Sequence, residues 1–321
     1  MSAKIHISDE LKADIPAGKW GKILAATPIV MTVIATLLAG LSSGEMTRAQ
    51  YDRALAAQQQ SKAGDQWNYF QAKRLRAALQ RNTLDLLHGT TGVRPLNPQA
   101  LAARLTGTPS QVVLNSTGGR QTLDCLTHGT LPSAGPEAVT DSRIITALAA
   151  ADEGQSDADL ARILAPVKAA DLIAALRDAN ARVRTFDNAL KPINQAIDAM
   201  EKELTHPPTT TTATGPDTSD PVARDFVSAR LSYAAQRYDT ESRQNQIIAQ
   251  LYELQVRKSN ISAERHHGRS QQFFYGMLAA QMAVIISTFS MAARKKNFLW
   301  ALAAAAGTAA VAFALYVYLY V

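Results

Sequence analysis

Six histidines, at positions 6, 88, 128, 206, 266 and 267, are the side chains of this 321-residue chain best suited to proton transfer or metal binding. Their spacing serves neither purpose. No two stand on the H-E-x-x-H pattern that makes a zinc site of one helix face. His266 and His267 are adjacent and so face different sides of a helix. Asp152-Glu153 and Asp157-x-Asp159 gather carboxylates, but without the spacing and terminal Glu of a calcium-binding EF-hand. Ser156-x-x-Asp159 reads more simply as a helix N-cap following a turn at Gly154. The single cysteine, Cys125, excludes a disulfide framework and a multi-cysteine metal site. It falls in an expected strand without a nearby base, so it reads as a buried, inert thiol. No G-x-x-x-x-G-K phosphate loop occurs, and Gly118-Gly119 reads as a turn. The expectation is therefore no catalytic residue, no cofactor and no metal.

The elements that position these residues begin with three uncharged apolar blocks: Ile23–Ser43, Phe273–Ala293 and Phe298–Val321. Each matches the ~20 helical residues that cross a ~30 Å hydrocarbon core. Trp20, Phe274, Tyr275, Trp300, Tyr316, Tyr318 and Tyr320 lie at the block ends, where amphipathic rings favour headgroups. The first block is too long for a cleaved signal peptide and no A-x-A site follows, so a retained signal anchor is expected. Arg294-Lys295-Lys296 leaves room only for a tight turn between the last two spans. Lys4, Lys12, Lys19 and Lys22 precede the first span and these three bases follow the second, which places 1–22 in the cytoplasm and 44–272 in the periplasm. Arg257, Lys258, Arg265 and Arg269 oppose this from the long loop, where bases count less.

The intervening sequence reads as helices around a small insert. Residues 44–89 lack proline and contain Gly44, Gly64 and Gly89 as their only glycines, so the first span should continue as a stalk helix. Residues 221–272 have the same character, with Asp220 as N-cap and Pro221 in the first turn. The two should pack antiparallel. Between them, within 167–205, Leu172, Leu176, Ala179, Val183, Phe186, Leu190, Ile193, Ile197, Met200 and Leu204 alternate steps of four and three, which is a coiled-coil seam. Pro192 should kink it. Residues 206–220 form a Pro/Thr linker. The insert, 90–166, is expected to hold short helices at about 98–105, 141–152 and 157–165, with a β-hairpin formed by Gln111–Asn115 and Gln121–Leu126 around Ser116–Gly119.

Asp65-Gln66-Trp67-Asn68-Tyr69-Phe70-Gln71-Ala72-Lys73 resembles the D-Q-W-x-x-Y-Q-A-K signature that follows the first span in a bacterial membrane family known as domain of unknown function 4337. Phe70 departs from that family's usual Tyr. Arg237-Tyr238-Asp239, Tyr252–Gln255 and Gln271–Tyr275 resemble its C-terminal half. The likeness covers roughly the first 90 and last 100 residues and not 93–205. It implies a three-span membrane protein with a helical domain, and no activity.

The expected fold class is therefore mainly α, with three transmembrane helices (23–43, 273–293, 298–321), a long antiparallel coiled-coil stalk and the hairpin-bearing insert. Gly40-x-x-x-Gly44 and Ala303-x-x-x-Gly307 are small-residue spacings that let membrane helices approach, and Gln281 is positioned to hydrogen-bond a neighbouring helix. The expected function is a non-enzymatic, membrane-anchored scaffold of the bacterial inner membrane. An accessory subunit of a transporter or channel comes second, and an enzyme with its site in 90–166 third. The net charge of +6 is explained by two membrane flanks. Arg257, Lys258, Arg265 and Arg269 against Glu264 leave +3, and Arg294–Lys296 add +3. The expected partners are anionic headgroups and other envelope proteins, this chain included, and not nucleic acid. The mean hydropathy of -0.09 averages greasy spans with a polar helical body.

Overall fold

The computed structural model describes residues 19–135, 139–205, 220–292 and 296–320. The expected N-terminal segment up to residue 18, the linker at 206–219 and the turn at Arg294-Lys295 lie outside them. Among the described residues there are nine helices and no strand: α1 (Lys19–Thr90), α2 (Pro98–Leu105), α3 (Pro109–Asn115), α4 (Thr117–His128), α5 (Ser142–Asp152), α6 (Asp157–Leu164), α7 (Ala169–Thr205), α8 (Pro221–Ala292) and α9 (Lys296–Tyr320). Three helices are long and apolar enough to cross a membrane. The chain divides into two compact units, with the boundary after Ala57 on α1 and after Lys258 on α8.

The smaller unit holds the apolar ends of α1 and α8 together with α9. Its interior is built from small residues. Ala35, Ala280 and Ala310 are buried with Leu38 and Phe273, whereas Ile29, Leu37, Leu41, Met282, Phe289 and Leu315 are exposed. Small residues inside and large apolar ones outside suit helices packed in hydrocarbon, where close backbone approach rather than water exclusion drives association. Beside this cluster, His266 Nδ1 lies 2.6 Å from Glu45 Oε2, and Ser42 and Ser270 exchange hydrogen bonds.

In the larger unit, α1 and α8 run antiparallel. Trp67 meets Glu253, Lys73 meets Glu241, Arg81 meets Asp239 and His88 meets Ser228, so residue numbers rise on one helix as they fall on the other. Helix α7 is also antiparallel to α8: Arg230 Nη1 donates to Glu201 at 2.6 Å and Tyr233 Oη to Asn194 at 2.9 Å. The heptad positions of α7 are consumed inside the chain. Phe186, Leu190, Ile193, Ile197, Met200 and Leu204 join Leu101, Leu105, Leu114, Cys125 and Leu126 of the insert, and Phe226 and Tyr233 of α8, in one core. Leu172 and Ala179 are buried further up the helix, and Leu176 and Val183 are half-buried. The helix continues through Pro192.

The expected β-hairpin is absent, and helices α3 and α4 stand in its place. The Val- and Thr-rich runs around Ser116–Gly119 suggested strands, but the local chemistry caps a helix. Ser116 Oγ accepts from Gly119 N–H at 3.0 Å, so Gly118-Gly119 form a first helical turn rather than a hairpin turn. Leu114 on α3, with Thr122, Cys125 and Leu126 on α4, are then buried against α7. Gly119 is required for this arrangement, because a Cβ there would meet Val113 O at 2.1 Å. Tertiary burial thus overrides β-propensity.

Candidate functional site

The signature segment Asp65–Lys73 lies on α1 within the larger unit, and helical spacing assigns its residues to two faces. Gln66, Phe70, Lys73 and Ala77 follow the steps of four and three that keep a helix face on its neighbour, and all are buried or half-buried. Trp67 Nε1 donates to Glu253 Oε1 at 2.7 Å, and the Trp67 ring meets Phe70 edge-on at 5.3 Å. The opposite face, Asn68, Ala72, Leu75, Leu79, Asn82 and Leu86, repeats the same steps and is exposed.

The inward face ends in a polar layer. Lys73 is ion-paired with Glu241, which also takes the Arg237 guanidinium at 3.4 Å. Arg237 stacks over the Tyr238 ring at 4.4 Å, and Lys73 Nζ lies 5.4 Å from the same ring centre. Facing this cluster, α7 contributes Asn180, Val183 and Asp187 at i, i+3 and i+7, while α8 contributes Glu241, Gln244, Asn245 and Ile248. With Gln66 and Tyr69 they line a cleft of about 300 Å³. Burial, then the charge of Glu241, pushes the Asp187 carboxyl above its ordinary range, and Lys73 and Arg237 only partly offset this. Gln244 is 8% exposed, and neither of its amide atoms has a hydrogen-bond partner. Single-residue spacing did not single out this layer. The signal present in the sequence was the polar interruption at Glu241 and Asn245 in an otherwise apolar α8 face.

A second cleft, of about 350 Å³, lies in the insert beside Asp124, Cys125 and Pro192. It is the place to look for a nucleophile, and the chemistry there points away from one. Burial, then the Asp124 charge, raises the Cys125 pKa and keeps the thiol protonated. His128 Nδ1 bonds Asp124 Oδ1 at 2.9 Å, and Asp124 Oδ2 accepts from Thr130 at 2.8 Å. Gly40-Leu41-Ser42-Ser43-Gly44 spells G-x-S-x-G, yet it lies within continuous helix rather than on a strand-to-helix elbow, and Ser42 Oγ is bound to Ser270. Among the described residues no group of three His, Cys, Asp or Glu side chains is gathered for a metal.

The small-residue positions fare unequally. A Cβ at Gly40 or Gly44 would meet nothing within 4 Å. Gly307 is closely covered, with Met31 Cε 2.8 Å from that position, and Ala303 is fully buried. Gly276, not singled out by spacing, packs among Leu38 at 3.3 Å, Phe313 at 3.4 Å and the Ala310 carbonyl at 3.5 Å. Gln281 lines an open apolar groove of about 460 Å³ with Thr32, Ala35 and Thr36. Both threonine hydroxyls are taken by carbonyls of their own helix, at 2.8 and 2.9 Å.

No curated protein and no solved structure matches the chain. The C-terminal segments that resemble domain of unknown function 4337 lie outside the stretch in which that likeness is found. Within that stretch the resemblance holds: residues 20–106, which carry the first apolar helix and the whole signature, match the family described as "Domain of unknown function (DUF4337)".

Proposed function

We propose that this chain is a non-enzymatic, membrane-anchored helical scaffold of the bacterial inner membrane that assembles through the outward face of α1, with a second copy of itself as the first partner. The observation that carries the reading is the exposed seam. Leu75, Leu79 and Leu86 are 62%, 54% and 68% exposed at heptad spacing, with Asn68 and Asn82 at positions where a buried Asn sets register. The α7 seam is already covered by its own chain and is not available for this purpose. Two copies anchored in one bilayer with the same topology present α1 in parallel, as such a seam requires. The basic residues flanking the spans favour anionic headgroups, and the N-terminus is assigned to the cytoplasm.

The test is cysteine crosslinking in native membranes on a Cys125→Ala background. A cysteine replacing Leu79 or Leu86 is expected to give crosslinked dimers, and one replacing inward-facing Ala77 is not. Absence of dimer from both outward positions would remove the reading. A cysteine replacing Val112, which is 78% exposed, reports topology better than buried Cys125. Labelling by a membrane-impermeant maleimide before lysis supports the periplasmic assignment of 44–272, and labelling only after lysis reverses it.

One observation favours a second reading, an accessory subunit of a transporter or channel. The Gln281 amide faces an open groove at membrane depth, where an unpaired amide is costly. Co-isolation of a polytopic protein that is lost in Gln281→Leu supports this reading. Unchanged association removes it.

A further inference from the structure

Two features of the polar cleft between α1, α7 and α8 are left over by its role in holding three helices together. The first is Gln244. Buried amides are nearly always hydrogen-bonded, yet here a donor and an acceptor stand side by side with neither used. Its donor suits a carboxylate and its acceptor an ammonium or an amide N–H, and the amide lies in the wall of a cavity rather than in packed core. The second is the balance of charge. The two cations nearest the cleft, Lys73 and Arg237, are both held by Glu241, while Asp187, a solvent-exposed residue of the cleft lining, has no cation within ion-pair distance among the described residues. A carboxylate without a cation and an amide without a partner, in one cleft, call for a ligand with a positive group and a carboxylate.

The dimensions limit the ligand further. About 300 Å³ is the lower end of the range for small-molecule sites, enough for an amino acid or a chain end of two residues and too small for a nucleotide. Val183 and Ile248 supply an apolar wall, and Tyr69, largely exposed, stands at the mouth.

We propose that this cleft binds a small zwitterion, an amino acid or a short peptide. Its ammonium rests on Asp187 and Gln244 Oε1, its carboxylate accepts from Gln244 Nε2, and its side chain lies against Val183 and Ile248. The site occupies the inward face of α1, opposite the exposed leucine seam, so it neither needs nor competes with assembly through that seam.

The experiment uses the full chain in lipid nanodiscs, as wild type, Asp187→Asn and Gln244→Leu, with binding read by calorimetry and by ligand-induced rise in unfolding temperature. The probes are the individual L-amino acids, dialanine, and two half-ligands, a simple alkylamine and a simple carboxylic acid. At least one zwitterion is expected to bind saturably, with about tenfold or greater weakening in each variant and for each half-ligand. Binding of dialanine without the free amino acids assigns the site to peptide ends, and the reverse assigns it to free amino acids. The unfolding transition of each variant separates lost binding from lost fold, and Asp187→Asn removes only the charge. Three results overturn the proposal: no saturable binding of any zwitterion to folded wild type, which leaves a water-filled cleft; binding undiminished in both variants; or a half-ligand that binds as tightly as the zwitterion.

Discussion

Ser42 and Ser270 hold two apolar helices together by exchange. Ser42 Oγ donates to the Ser270 carbonyl at 2.9 Å, Ser270 Oγ donates to the Ser42 carbonyl at 2.9 Å, and the hydroxyl oxygens are 3.2 Å apart. The pair lies 228 residues apart in sequence, just where both helices leave their apolar blocks. Each hydroxyl serves a carbonyl that already has a helical partner, so the gain comes from adding an inter-helix bond and not from rescuing an orphaned group.

Ser42→Ala and Ser270→Ala are each expected to cost about 0.6–1.7 kcal/mol, the range for polar contacts between membrane helices. The double variant should lose less than the two single losses combined, because the hydroxyls also face each other. Reversible unfolding in detergent measures this. Strict additivity would show that the exchange does not act as a unit.

The glycines should separate sharply. Gly119→Ala drives a Cβ to 2.1 Å from a backbone carbonyl, which cannot yield without moving α3 against α4, and is expected to cost about 3 kcal/mol or more. Gly307→Ala meets only the flexible end of Met31 and should cost less. Gly40→Ala and Gly44→Ala meet nothing and should be neutral or stabilising by up to about 1 kcal/mol in the monomer. A loss at Gly40 or Gly44 confined to assembly would instead mark that face as an inter-chain contact.

Asp187→Asn should change stability in a pH-dependent way. Burial, then the Glu241 charge, raises the folded pKa of Asp187 above its ordinary 3.8. An acid raised in this way binds its proton more tightly folded than unfolded. Its ionisation therefore erodes stability as pH climbs from the ordinary value through the raised one, and the penalty is complete above both. The neutral Asn should leave stability unchanged at strongly acid pH and increase it at neutral pH. Denaturant titrations at both ends of that window decide. An equal effect at both pH values would mean packing and not charge.

Phe186→Ala should be among the most damaging core substitutions, at about 3–5 kcal/mol. Phe186 is fully buried and joins α7 to the insert and to α8. Val183→Ala, one turn earlier and half-buried at the polar cleft, should cost clearly less. Comparable losses would indicate that the α7 seam is stabilised uniformly along its length.

The long helices were legible because their signals are local. Uncharged runs of membrane length, proline-free helix formers and a ten-position alternation of four and three all belong to single segments. So were several caps: Asp220 accepts from Val222 N–H at 2.9 Å, and Ser156 from Asp159 N–H at 3.2 Å, as the residue types demand. The helix at 98–105 has its observed bounds for the same reason, a capping Asn97 before Pro98. The hairpin reading failed because Val, Thr and Gly between Gln111 and Leu126 carry conflicting local preferences, and only a core into which Leu114 and Leu126 fit decides between them.

What the sequence determined by itself was which long segments are helical, which are apolar enough for a bilayer, and that the basic charge sits beside them. Only the tertiary structure decided which face of each helix is spent. A heptad pattern states that a face is apolar and not what covers it. The α7 seam is therefore occupied by its own insert, while the shorter seam on α1 is left exposed. The polar cleft is of the same kind. Lys73, Asp187, Glu241 and Gln244 come from three helices up to 171 residues apart, and no local pattern shows that one of their amides lacks a partner. Whether a polar side chain is satisfied is a property of its neighbours in space, which the order of residues specifies only through the fold.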